Sequence, residues 1–169
     1  ISNLENQSEE LPNGFSRPLG ITFKLDYAGS SAHIRLDGVF GKAQAYAIAA
    51  AACVGVSFGL QLGRVAEEIQ YYEAPKRRLK LLTGIKGSYI LDDSHNASPL
   101  SMHAAIDTVR DLKAKRKIGV LGDMLELGPY SMEAHEEIGR LARRVFDILI
   151  TIGPRAKLIA DGAIINGFD

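Results

Sequence analysis

The feature that most narrows the fold is an alternation, along the second half of the chain, of short apolar runs with amphipathic stretches. Ile118-Gly-Val-Leu121 and Ile148-Leu-Ile-Thr-Ile152 contain no charge, and strands without polar interruption fit a parallel sheet buried on both faces. Around them the spacing predicts helices over 99–114, 131–145 and 154–165, and further strands near 79–82 and 88–91. Strands and helices in turn imply an α/β fold, here a doubly wound, Rossmann-like domain.

The first half reads differently. Residues 1–12 are polar and acidic without a period, and with the turn pair Asn13-Gly14 they read as a loop. Ile21, Phe23, Leu25 and Tyr27 then alternate with polar residues, as do Ile34 and Leu36 beyond Ala28-Gly-Ser-Ser31, which predicts a β-hairpin covering something apolar. From Ala43 to Leu62 no residue is charged, over a length that could span a bilayer. Ala dominates this run and Gln44, Gly55, Ser57, Gly59 and Gln61 interrupt it, whereas membrane spans are carried by Leu, Ile, Phe and Val. It reads as a buried Ala-rich helix ending near Gly55 or Gly59. A second helix is predicted on Leu62, Val65, Ile69 and Tyr72. At Ala74-Pro75-Lys76-Arg77-Arg78 proline stops that helix and three cations follow, so a domain boundary is placed there, between 1–74 and 75–169.

Composition sets the outer limits. With 169 residues, 46% of them hydrophobic, the chain can bury a real core in one large or two small domains. Twenty Lys+Arg against twenty Asp+Glu exclude the uniformly basic surface of non-specific nucleic-acid binding. A single cysteine, Cys53, rules out an internal disulfide and a cysteine-rich zinc site. Nothing at the start has the segments of a signal peptide, so a reducing, cytoplasmic setting is expected.

Ligands of open parallel sheets bind beyond the carboxyl ends of the strands, which directs attention to two loops. After Tyr89-Ile-Leu91 comes Asp92-Asp-Ser-His-Asn-Ala-Ser-Pro99, in which Ser98 and Pro99 form a ready helix start. Asp93, His95 and Asn96 beside a helix N-terminus suit a ribose hydroxyl and a nearby anion, and Asp92 and Asp93 equally suit plain capping of a turn. After Leu121 comes Gly122-Asp-Met-Leu-Glu-Leu-Gly128, where Asp123 and Glu126 can orient an amine or hydroxyl, or simply end a strand and face solvent. Arg77 and Arg78 can reach phosphates or form a solvated linker. His135 stands beside Glu136, but Gly139 breaks the zinc-protease pattern, leaving a buried or capping histidine; His103 reads the same way. The segment Gly38-Val-Phe-Gly-Lys42-Ala43 has the wrong spacing for a Walker phosphate loop.

Taken together, Leu91–Pro99 with Ser101-Met102 and then Val120-Leu-Gly-Asp-Met-Leu-Glu-Leu-Gly128 resemble the Mur ligases, within them the UDP-N-acetylmuramoyl-tripeptide:D-alanyl-D-alanine ligases (MurF type). The family's first motif runs close to D-D-S-Y-N-A-N-P-x-S-M, from which His95 and Ser98 depart. Its second, V-L-G-D-M-x-E-L-G, is matched throughout, and His135 matches a later family histidine in position. Ala74-Pro75-Lys76-Arg77-Arg78-Leu79 resembles the junction P-P-G-R-M, with Arg77 in place of its glycine. Gly41-Lys42-Ala43-Gln44-Ala45-Tyr46 resembles the stretch near the adenine, without its His and Asn.

The resemblance implies the end of a central ATPase domain followed by most of a C-terminal Rossmann-like domain. The UDP-sugar domain, the phosphate loop, the Mg²⁺ ligands and the last C-terminal strands would then lie outside this chain, which alone should not turn over. It further implies ATP and Mg²⁺ as cofactors and UDP-MurNAc-tripeptide and D-alanyl-D-alanine as partners, in a monomer that binds no nucleic acid and inserts in no membrane. Arg78 and Asp93 would be catalytic and, with Lys42 and Tyr46, would hold the nucleotide, Arg78 reaching the phosphates on domain closure. Asn96, Ser98, Asp123 and Glu126 would face the incoming dipeptide. The readings kept beside it are another member of the superfamily such as a folylpolyglutamate synthase, a degenerate Mur-like protein, and a non-catalytic receiver module with Asp123 as phosphoacceptor.

Overall fold

The computed structural model describes residues 1–12 and 14–168. They form two compact units, the first reaching Asp93 and the second starting at Ser94. The turn expected at Asn13-Gly14 rests partly on Asn13, which lies outside the described residues; beside it the Gly14 N–H donates to the Leu11 carbonyl at 2.9 Å.

The first unit opens with an antiparallel sheet in the order β1 (Ser2–Glu10), β2 (Ser16–Tyr27), β3 (Ser30–Asp37). The expected hairpin is β2–β3, in register from Gly20 opposite Asp37 to Tyr27 opposite Ser30. Its two-residue turn puts Ala28 and Gly29 at φ 47° and 80°, the hand that matches strand twist. Ile21, Phe23 and Leu25 face Ala32, Ile34 and Leu36 on the buried side. Tyr27, expected on that side, is exposed at the strand end.

Residues 2–10, read as a loop, form β1. Of its side chains only Leu4 packs on the core. The strand is held by backbone pairing to β2, which needs no apolar alternation and left none to read.

Helix α1 (Lys42–Ser57) and α2 (Leu62–Ile69) close the core over this sheet. The Ala-rich helix is only half buried: Ala45, Ile48 and Ala52 face in, while Tyr46, Cys53 and Val54 face solvent. No helix among the described residues is long and apolar enough to cross a membrane. The unit ends on β4 (Lys80–Thr83) and β5 (Tyr89–Asp92). They pair antiparallel, not within the parallel sheet expected of them. The reason is the turn between them, where Lys86 and Gly87 at φ 53° and 73° reverse the chain too tightly for a crossover.

In the second unit α3 (Pro99–Asp111), β6 (Ile118–Gly122), α4 (Ser131–Ala142), β7 (Ile148–Ile152) and α5 (Lys157–Ile165) follow the predicted alternation. β6 and β7 pair parallel, Ile118 opposite Ile148 through Gly122 opposite Ile152, with α4 as their crossover. This is the α/β, Rossmann-like arrangement expected from the apolar runs. Leu121 and Leu149 turn to a core built from Met102, Ile106, Met124, Ile138, Phe146 and Ile159. The opposite face of both strands is open, contrary to the expectation of burial on both sides: Ile118, Val120, Ile148, Ile150 and Ile152 are 40–62% exposed. Helices α4 and α5 touch through glycine. A Cβ on Gly139 would fall on the Ile159 carbonyl oxygen, and one on Gly162 would lie 2.5 Å from the Glu136 carbonyl oxygen.

Candidate active-site loops

In the first unit the junction after α2 is bent by two left-handed non-glycine residues, Arg77 at φ 62° and Leu79 at φ 49°. Between them Arg78 is exposed, and its guanidinium has no hydrogen-bond or ion-pair partner among the described residues. Leu79 is buried, which anchors the bend. Two side chains fix its backbone. The Asp93 carboxylate Oδ1 accepts the Leu79 N–H at 3.1 Å, and Gln44 Nε2 on the first turn of α1 donates to the Arg78 carbonyl at 3.4 Å. Gln44 Oε1 in turn accepts the Tyr72 hydroxyl at 2.7 Å. Partial burial pushes the Asp93 pKa above the usual carboxylate value; the Leu79 N–H and the Arg78 charge oppose that rise, and neighbouring Asp92 adds to it. Burial likewise raises the Tyr72 phenol.

The structure thus brings Arg78 and Asp93 together through one peptide of backbone. Lys42 and Tyr46 share a face of α1 one turn apart, both exposed, and no hydrogen bond ties either to this cluster. Gln44 is the link that the sequence reading passed over; its signal lay within Gly41–Tyr46, one residue from Ala43.

Left-handed φ explains why a glycine suits position 77. An L-residue there carries a steric cost of about 1 kcal/mol that glycine avoids. Arg77→Gly, which removes only an exposed side chain, is therefore expected to raise stability by about 1 kcal/mol in urea denaturation.

In the second unit Ser98 and Pro99 start α3 as predicted, and the cap uses up Ser98. Its Oγ accepts the Ser101 N–H at 3.3 Å, while Ser101 Oγ accepts the Ser98 N–H at 3.0 Å. Asn96 is exposed, its Oδ1 taking the Ala97 N–H at 2.9 Å and its amide N–H₂ left outward; His95 is exposed beside it.

The loop beyond β6 is pinned at two points. Asp123 Oδ1 accepts the Ala156 N–H at 2.6 Å, tying the end of β6 to the turn that starts α5, and its carboxylate covers Gly153 so closely that a Cβ there would have to displace it. His135, fully buried on α4, holds the next residue: its Nε2 accepts the Met124 N–H at 3.0 Å, and its Nδ1 is 2.6 Å from the Ser131 carbonyl oxygen. Met124 is buried beneath the loop, and beyond it Glu126 stands exposed in a left-handed conformation at φ 62°. Of the two carboxylates, Asp123 is thus committed on one oxygen to backbone and Glu126 is presented outward. No group of three or more His, Cys, Asp or Glu among the described residues is arranged to hold a metal ion.

Comparison with known proteins places this geometry. Residues 77–167 match the family described as Mur ligase, glutamate ligase domain. A UDP-N-acetylmuramoyl-tripeptide--D-alanyl-D-alanine ligase of Bacillus subtilis is 34% identical over 128 residues, 75% of this chain and 28% of its own length. The enzyme of that name from Mycobacterium bovis is 32% identical over 155 residues, 86% of this chain and 30% of its own. Among solved structures, the MurF ligase from Thermotoga maritima in complex with ADP superposes with a TM-score of 0.74 at 28% identity, over 82% of this chain and 32% of that one. The chain spans about a third or less of the length of each of these relatives. The match across the junction, both loops and every element of the second unit makes this chain a member of the Mur ligase family.

Proposed function

We propose that the chain is part of an ATP-dependent amide ligase that joins D-alanyl-D-alanine to UDP-MurNAc-tripeptide, a step of peptidoglycan precursor synthesis in the cytoplasm. In this reading residues 1–74 belong to the end of a central ATP-binding domain and 75–169 to the C-terminal domain. The observation that carries it is the Gly122–Gly128 loop, which keeps the family sequence throughout and is clamped at Asp123 and Met124 at the carboxyl end of a parallel strand. That is where open α/β sheets take their ligands.

The donor set of the first unit fits a nucleotide. Asp93 has one oxygen on the Leu79 N–H and a second oxygen able to accept a ribose hydroxyl, and the unpartnered guanidinium of Arg78 suits a phosphate oxygen. Lys42 adds a second cation and Tyr46 an exposed ring on the first turns of α1. Mg²⁺ finds no matching cluster among the described residues.

ATP, a substrate, transfers its γ-phosphoryl group to the tripeptide carboxylate, leaving ADP and an acyl phosphate; the neutral dipeptide amine attacks the acyl carbon, and collapse to the amide releases phosphate and a proton. The residues of this chain orient the two sides of that exchange. Arg78 offsets charge on the phosphates and Asp93 fixes the ribose, while Glu126, with the second oxygen of Asp123, meets the dipeptide amine, and the outward amide of Asn96 is a further polar group for the dipeptide. Ser98 acts by capping α3, which keeps Asn96 in place.

The test is phosphate release by the full-length protein that carries this chain, with UDP-MurNAc-tripeptide, ATP and Mg²⁺, in the presence and absence of D-alanyl-D-alanine. Release that requires the dipeptide is the expected result. Release that requires a folate and glutamate instead would move the chain to the folylpolyglutamate synthase reading, and none with any of these carboxylate and amine pairs would favour a degenerate relative.

A further inference from the structure

The ligation chemistry leaves one buried histidine of the second unit without a role. His135 is fully buried, yet both ring nitrogens are engaged. The Met124 amide can only donate, so Nε2 must be the unprotonated acceptor. Neutral imidazole then carries its hydrogen on Nδ1, which donates it to the Ser131 carbonyl on the same helix, one turn back. Ring orientation and tautomer are both set, with α4 as the fixed end and the loop as the held end.

What the ring holds is the midpoint of the candidate amine-binding loop. Met124 is buried, and removing its acceptor would strand its N–H away from water, at a cost that favours moving the loop instead. Two residues on, Glu126 keeps a left-handed φ that an unconstrained glutamate disfavours. The Asp123 bond to Ala156 fixes the near end of the loop and leaves Met124 onward to be fixed by His135.

We propose that His135, as the Nδ1–H neutral tautomer, is the positioning residue of the Gly122–Gly128 loop and sets where Glu126 stands for an incoming amine. Its functional half rests on the amide-ligase reading; its structural half does not. His135 touches no reacting group and acts through the Met124 backbone.

The experiment has two parts, chosen so that the two halves fail separately. In the 169-residue chain, ¹⁵N-resolved NMR should report the Nδ1–H tautomer for His135 and slow exchange for the Met124 amide. The Nε2–H tautomer, or fast Met124 exchange, would overturn the proposal whatever the enzyme does. In the full-length protein, His135→Phe keeps ring volume without an acceptor, whereas His135→Gln puts an acceptor oxygen the same number of bonds from Cα as Nε2. The phenylalanine variant should raise KM for D-alanyl-D-alanine about ten-fold with kcat within about two-fold, and glutamine should recover most of that loss. Should both variants raise KM equally, or lower kcat alone, the ring is a packing element only and the positioning role falls. A wild-type protein without dipeptide-dependent release would remove the ligase reading and this functional half, and the NMR result would still decide the structural half. If His135→Phe does not fold, the wild-type tautomer and the His135→Gln kinetics decide the proposal.

Discussion

Arg78→Ala in the full-length protein is expected to lower ligation by about 10²-fold or more, the scale on which loss of one preorganised cationic or hydrogen-bonding group facing developing charge is felt. The reasoning is local. Arg78 is exposed and its guanidinium makes no hydrogen bond or ion pair among the described residues, its charge acting on the fold only at a distance through Asp93, while three contacts hold its backbone still: Gln44 on its carbonyl, Asp93 on the next N–H, and buried Leu79 beyond. A side chain free at the tip and fixed at the root suits the phosphate contact proposed for it. Arg77→Ala, one residue earlier, should cost activity only a few-fold, because its side chain is exposed and the junction uses its backbone bend. The comparison to make is kcat/KM at saturating dipeptide with ATP varied, for both variants. Equal losses would remove Arg78 from the phosphate role.

Gly139→Val is expected to give the largest loss of stability, about 4 kcal/mol, enough to unfold a unit of this size. The Cβ would occupy the position of the Ile159 carbonyl oxygen, which is backbone and has no rotamer to yield. The helices would have to part, opening the buried Ile138 and Ile159 contacts on either side. Gly63→Ala on α2 is the control, since nothing lies within 4 Å of its Cβ and alanine is the better helix former. It should be neutral or stabilising by about 0.5 kcal/mol. Urea denaturation followed by the methyl signals of Ile138 and Ile159 for the first variant, and of Ile48 and Val65 for the second, measures each in its own unit, and a Gly139→Val midpoint near wild type would mean that α4 and α5 are not locked at this crossing.

The sequence pattern was informative wherever side chains decide the structure. Leu62, Val65 and Ile69 placed α2, although the helix stops at Ile69 and leaves Tyr72 beyond it, and Ser98 with Pro99 placed the start of α3, because burial and capping leave periodic or local marks. It was silent where backbone decides. β1 is a polar strand whose only requirement is pairing to β2, and β4 and β5 took an antiparallel course from the turn at Lys86 and Gly87 rather than from their own apolar content. Unbroken apolar runs at β6 and β7 marked them as strands and parallel, but could not say how many faces are covered. At the candidate site, residue types were readable and commitments were not. Nothing in the string Gly122–Gly128 distinguishes Asp123, bound to the Ala156 N–H, from Glu126, which faces outward. The same holds for Ser98, whose hydroxyl is used up by the cap, and for Gln44, whose importance depends on two partners far along the chain.

The open face of β6 and β7 has a consequence for anyone handling this chain. Five branched residues lie on a two-stranded ribbon whose outer backbone rims have no strand beside them among the described residues, the arrangement that templates sheet addition between copies. Solubility should therefore fall off with concentration faster than the balanced charge suggests, and a single lysine at Val120 or Ile150, pointing into solvent from mid-ribbon, is the smallest change that would keep preparations monodisperse.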